Sequence, residues 1–204
     1  MKLQSSNQAN RIFIMSDLAK EIEISDDFMA MMGDEVDSSA LQEFLVSKFQ
    51  GSRNAYQTFR DMLYKVSRNL SKDYGGGAWT FFDVESDETA FFAYPNDPSL
   101  YDRFHKIVGV SEDINYVVDD KAFGLLASMI AFSNCSHHFS ETPIIHGMFS
   151  DFYHKLNMEL LNMVTQSKQG NEEVGIEPFP IEEQEDIATM YKAIEHVMDE
   201  LKNK

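Results

Sequence analysis

The stretch DYGGGAWTFFDV, residues 73–84, with TAFFAYP following at 89–95, decides how the chain is read. Three glycines precede the only tryptophan and two dense aromatic runs. The order is a helical pattern, then glycine, then an extended pattern. A Walker loop needs Lys-Ser/Thr entering a helix, and a dinucleotide fingerprint needs a strand before its glycines and a helix after them. Gly75, Gly76 and Gly77 therefore read as a turn from a helix end into a strand, with a left-handed glycine ending the helix. AWTFFDV and TAFFAYP read as a hairpin whose polar loop is Glu85-Ser86-Asp87-Glu88, and Pro95, lacking a ladder donor, ends the second strand. Alternation puts Ala78, Thr80, Phe82 and Val84 on one face and Trp79, Phe81, Asp83 and Glu85 on the other. Both faces carry bulk, so the expectation is a sheet covered on both sides rather than an exposed aromatic patch.

Helical patterns flank the hairpin. Residues 37–49, DSSALQEFLVSKF, offer Asp or Ser as a cap and Leu41, Phe44, Leu45 and Phe49 at helical spacing, stopped by Gly51. Residues 54–74 place Tyr56, Phe59, Met62, Leu63, Val66 and Leu70 on one stripe. YDRFHKIVGV, 101–110, fits a helical turn or a strand, and INYVV, 114–118, fits a strand. Asp119 or Asp120 caps a helix over 120–139 that is apolar on most sides, hence central and buried. Pro143 opens another to Val164, residues 166–180 form an acidic Gly/Pro linker, and 181–201 make a last helix with Ile187, Met190, Tyr191, Ile194, Val197, Met198 and Leu201 along it. The polar residues 1–10 and the mixed segment to Met32, read as a short helix, count with the rest of 1–36 as an acidic, partly ordered extension. Residues 37–204 then form a single domain. The fold class is α+β: several helices packed with one small antiparallel sheet of three to four strands.

The chain of 204 residues carries a formal charge of −17. Residues 1–43 contribute −6, residues 44–170 only −4 and residues 171–204 −7. Such a surface repels nucleic-acid phosphates and attracts basic proteins, so no direct nucleic-acid binding is expected. No apolar run reaches the length of a membrane span, MKLQSSNQANRIFIM lacks a signal-peptide core, and the lone Cys135 forms no internal disulfide; together these point to the cytoplasm, with no membrane role.

Candidate chemistry is sparse. Cys135, His137 and His138 lie near His146 and His154, which admits a thiolate nucleophile activated by imidazole or a histidine metal site. Adjacent His137 and His138 project about 100° apart on a helix, and there is no HExxH pattern. A lone Cys on an apolar helix is ordinarily a packed residue. The expectation is no catalytic residue, no metal and no cofactor, with a hydrolase using Cys135 and nearby histidines as the alternative and an acidic adaptor as a third reading.

Tyr74, Gly76, Trp79, Phe81-Phe82, a polar turn containing Ser86-Asp87, Phe91-Phe92 and Pro95, in this order, resemble the central hairpin signature of the plasmid antirestriction proteins of the ArdB/KlcA type. FLVSKFQGS (44–52), DDKAFGLLASMIAFS (119–133) and TMYKAIE (189–195) fall in similar relative positions, so the resemblance spans roughly residues 40–196. In this chain 85–90 replaces the family's compact glycine turn, and 1–40 and 166–180 have no counterpart. The resemblance implies a non-enzymatic inhibitor of type I restriction of incoming unmodified DNA, carried by a mobile element. Its partner would be a host restriction enzyme or another DNA-processing complex, reached by protein contact. The signature residues would be structural or contact residues, and Asp83, Glu85, Asp87 and Glu88 at the hairpin tip a candidate acidic contact loop.

Overall fold

The computed structural model describes residues 20–72, 74–84, 89–96, 104–108, 116–169 and 178–202. Its elements run β1 (Lys20–Ile22), α1 (Asp26–Met32), β2 (Gly33–Glu35), α2 (Leu41–Lys48), α3 (Arg53–Leu70), β3 (Trp79–Val84), β4 (Phe91–Pro95), β5 (Phe104–Lys106), β6 (Tyr116–Asp119), α4 (Asp120–His138), α5 (Pro143–Gln169) and α6 (Ile181–Lys202). The α+β class holds. The strands form two sheets of three rather than one: β2-β3-β4, fully antiparallel, and β1-β6-β5, in which β1 runs parallel to β6. Parallel pairing joins segments distant in sequence and leaves no hairpin signal, which is why local pattern missed it.

Residues 20–36, read from sequence as part of an extension, are built into both sheets. Ile22, Ile24, Phe28, Met29 and Met32 are buried. Ser25 caps α1 by accepting from the Phe28 N–H at 3.1 Å, and the helix passes directly into β2 at Gly33. The short helix expected here exists, but with a strand on each side.

The hairpin is where the sequence places it. Phe81 sits opposite Ala93, Phe82 opposite Phe92 and Asp83 opposite Phe91. One face, through Phe81 and Phe91, enters an aromatic cluster with Phe44, Phe49, Phe59, Phe132 and Phe152, with ring centroids 5.0–6.4 Å apart. On the other face Phe82 and Phe92 lie 5.0 Å apart. All four phenylalanines are buried, as a sheet covered on both sides requires.

Helix α4 is the central helix the sequence predicts, buried almost continuously from Ala122 to Ser136. It covers the free edge of β4. The Phe81 carbonyl accepts from Val36 N–H at 2.8 Å on the β2 side, so opposite it the Ala93 N–H and C=O point away from β3. The Ser128 hydroxyl meets both, accepting from the N–H at 3.0 Å and donating to the C=O at 3.1 Å. Gly124, one turn earlier on the same face, makes the approach possible: a Cβ there would lie 2.2 Å from Tyr94 Cβ and 2.6 Å from the Ala93 oxygen. A strand edge covered in this way is closed to pairing with another chain.

The glycine run differs in detail from the reading above. Helix α3 ends at Leu70 with Ser71 in extended conformation, not at a glycine. Tyr74 intervenes, and Gly76 (φ 89°) and Gly77 (φ 140°) then turn the chain into β3 through a region closed to most L-residues. Helix α5 continues to Gln169, so the first four residues of the expected linker are helical; residues 170–177 lie outside the described residues. Among the described residues no helix is long and apolar enough to cross a membrane.

Candidate functional site

The signature residues are placed first as framework. Tyr74 is buried, and its hydroxyl accepts from Trp79 Nε1 at 2.7 Å. Its ring lies 5.8 Å from Phe123 of α4. Tyr64 of α3 packs edge-on to Trp79 and donates to the Gly77 carbonyl at 3.2 Å, anchoring the glycine turn to the helix before it. Phe81, Phe82, Phe91, Phe92 and Pro95 are buried, and Gly76 serves the turn. These residues hold α3, the hairpin and α4 together, and of them only Trp79 and Gly76 retain appreciable exposure.

The hairpin tip separates into two parts. Glu85, Asp87 and Glu88 lie outside the described residues. Asp83 is described, and it has a structural partner: its Oδ1 lies 2.6 Å from the Lys48 ammonium, whose side chain is only 5% exposed while that of Asp83 is 47% exposed. Lys48 also donates to the Ala90 carbonyl at 3.4 Å and sits over the Phe44 ring at 5.3 Å. The carboxylate thus answers a buried cation and fastens α2 to the hairpin.

The candidate nucleophile and metal ligands do not assemble. Cys135 is fully buried, and burial pushes its thiol up to about 12, so it is protonated and shielded at neutral pH. His137, His138, His146 and His154 are exposed. His137 Nδ1 lies 2.7 Å from the Ser133 carbonyl of its own helix, and His146 Nδ1 lies 2.8 Å from the Ser136 carbonyl, a tie between α4 and α5. Among the described residues no three His, Cys, Asp or Glu side chains are placed to hold a metal ion. A pair that sequence did not single out is His105 of β5 with Asp120 of α4, Nε2 to Oδ1 at 2.6 Å, fully buried at the histidine and stacked on Phe123 at 4.0 Å. Its contacts are those of a strut between β5 and α4.

What the fold does concentrate is charge. Between Glu21 and Glu43 there are eight carboxylates and no Lys, Arg or His, and all eight residues are exposed. Strand β2 carries Asp34 and Glu35 to the rim of two concavities. One, of about 460 Å³, also takes in Asp26, Lys121, Phe82 and Tyr94. The other, of about 310 Å³, takes in Asp37, Glu43, Phe44 and Asp83. Asp26 is bonded to Lys121, whose hydrogen bond and charge hold its carboxyl below the usual range. The side-chain and backbone hydrogen bonds from Ser39 do the same for Asp37. Tyr94 donates to Glu35, and burial followed by that carboxylate pushes the phenol far above its ordinary value. The signal is legible as eight carboxylates without one base over twenty-three residues, but local pattern places six of them in a partly ordered extension and Asp37 and Glu43 on the next helix, not on one folded face.

No protein-family model matches the chain, and no curated protein matches it.

Proposed function

We propose that the protein acts by contact with a basic protein partner through the acidic face built on α1, β2 and the start of α2. The observation that carries this reading is the base-free run of exposed carboxylates from Glu21 to Glu43, held on folded elements rather than on a tail. Such a field repels phosphate backbones and accelerates encounter with a cationic surface, the kind of surface that a DNA-handling enzyme presents.

Joined to the resemblance of Tyr74, Gly76, Trp79, Phe81, Phe82, Phe91, Phe92 and Pro95 to the ArdB/KlcA-type signature, the reading becomes specific. The partner is a type I restriction complex in the cytoplasm, and the protein is its non-enzymatic inhibitor. Expression in cells carrying a type I system lowers restriction of unmodified phage DNA, and Asp27→Asn with Asp34→Asn weakens that protection. Plating efficiencies unchanged by the wild-type protein across several type I systems would remove the proposal.

A further inference from the structure

Helix α2 has more apolar side chains than the core receives. Phe44 and Phe49 enter the aromatic cluster, but Leu41 and Leu45 are only half-buried, and Val46 is 56% exposed. These three, with Phe49 and Tyr56, line a groove of about 500 Å³ between α2 and the first turn of α3. Exposed apolar concavities of this kind are uncommon on a surface otherwise crowded with charge.

We propose that this groove docks an amphipathic helix of the partner protein, apolar on the side that faces Val46 and basic along its flank. A helix satisfies its own backbone, so it can lie in an apolar groove; an extended peptide would need a strand edge, and no strand lines this one. Charge complementarity specifies the flank. Asp34, Glu35, Asp37, Glu43 and Asp83 line the acidic concavity on the other side of α2, which gives the flank of a helix seated against α2 an acidic field to meet, and Arg53 is the one charged side chain among the groove's own lining residues. A second copy of this chain, at a formal charge of −17, would bring acid against acid. The inference rests on the proposed acidic contact and deepens it by naming the form of partner segment that the face accepts.

The probe is a fluorescent Leu/Lys peptide of about four helical turns with leucines at i, i+3 and i+4 spacing, compared with a Leu/Glu peptide of the same periodicity. The full-length protein binds the Leu/Lys peptide saturably and does not bind the Leu/Glu peptide. Val46→Gln, at a position exposed enough to leave the melting temperature unchanged, weakens binding about tenfold, and Glu43→Lys does so by a similar factor. Binding of the Leu/Lys peptide that is indifferent to Val46→Gln overturns the groove, because it would then report only general charge. So does equal binding of the Leu/Glu peptide, or a wild-type dimer in sedimentation that Val46→Gln converts to monomer. The two proposals fail separately. Intact, Val46-dependent peptide binding with undiminished restriction removes the restriction reading alone. Diminished restriction with peptide binding that ignores Val46 removes the groove alone.

Discussion

Gly124 is the position at which the smallest change has the largest consequence. The atoms a Cβ would meet are the Tyr94 Cβ and backbone of β4, none of which can swing aside, so α4 must lift from the sheet. Gly124→Ala should therefore cost about 3 kcal/mol, read as a lowered urea midpoint, despite the gain in helix propensity. Ser128→Ala acts on the same contact by different physics. It leaves the Ala93 N–H and C=O buried without their partner, a loss of about 2 kcal/mol by the same measurement. The Lys48–Asp83 pair is asymmetric: the lysine is buried and the carboxylate half-exposed, so each end responds differently when it loses its partner. Asp83→Asn removes the counter-charge of a lysine that keeps its Ala90 and Phe44 contacts but is almost closed to water, whereas Lys48→Met leaves a carboxylate that is half-exposed; the first substitution should lower the melting temperature more than the second. Cys135, read in sequence as a possible nucleophile, should be inert to thiol reagents at pH 8 in the native protein and react once denaturant opens the helix.

At the scale of elements, the N-terminus of α4 is where separate parts of the chain are joined. Asp119 caps the helix through the Ala122 N–H at 2.7 Å and accepts from the Ile24 N–H at 3.1 Å, while Lys121 reaches Asp26, so β1 and α1 hang on the helix start. Burial pushes the Asp119 carboxyl up to about 6, outweighing the hydrogen bonds to Ala122 and Ile24 and the charge of Lys121 that act to lower it; Glu23 adds to the rise. The folded state thus holds this proton more tightly than the unfolded chain does. The stability contributed is full below the ordinary aspartate value of 3.8 and is lost as pH rises through about 6. Urea titrations at pH 5 and pH 7 should show this as greater stability at pH 5 in the wild type, by a margin that shrinks in Asp119→Asn. Asp119 was legible as a cap because capping is a local pattern; its bond to Ile24, ninety-five residues away, was not. The same holds for β5, which sequence left between turn and strand. Three residues contain too little pattern to decide, and pairing with β6 decides for them.

For the whole molecule, the first thirty-six residues belong to the fold in their described part. Deleting them removes β1, α1 and β2 together with five buried side chains, and the remaining chain should lose its cooperative unfolding transition, as followed by circular dichroism. The acidic face belongs to this scale too: binding to a basic partner should weaken steeply as salt rises from about 50 to 300 mM, because exposed charges are screened over about a Debye length. The helices α2 to α6, the aromatic hairpin, the α+β class and the excess of acid are legible in the sequence, because amphipathic period, strand alternation, caps and composition are written within a few neighbouring residues. Only the tertiary structure decided that there are two sheets and that an apparent extension supplies a strand to each. It also decided that α4 closes the edge of β4 through Gly124 and Ser128 and that Asp83 answers a buried lysine. Each of these depends on which distant segments meet, and burial and hydrogen-bond satisfaction are settled only when they do.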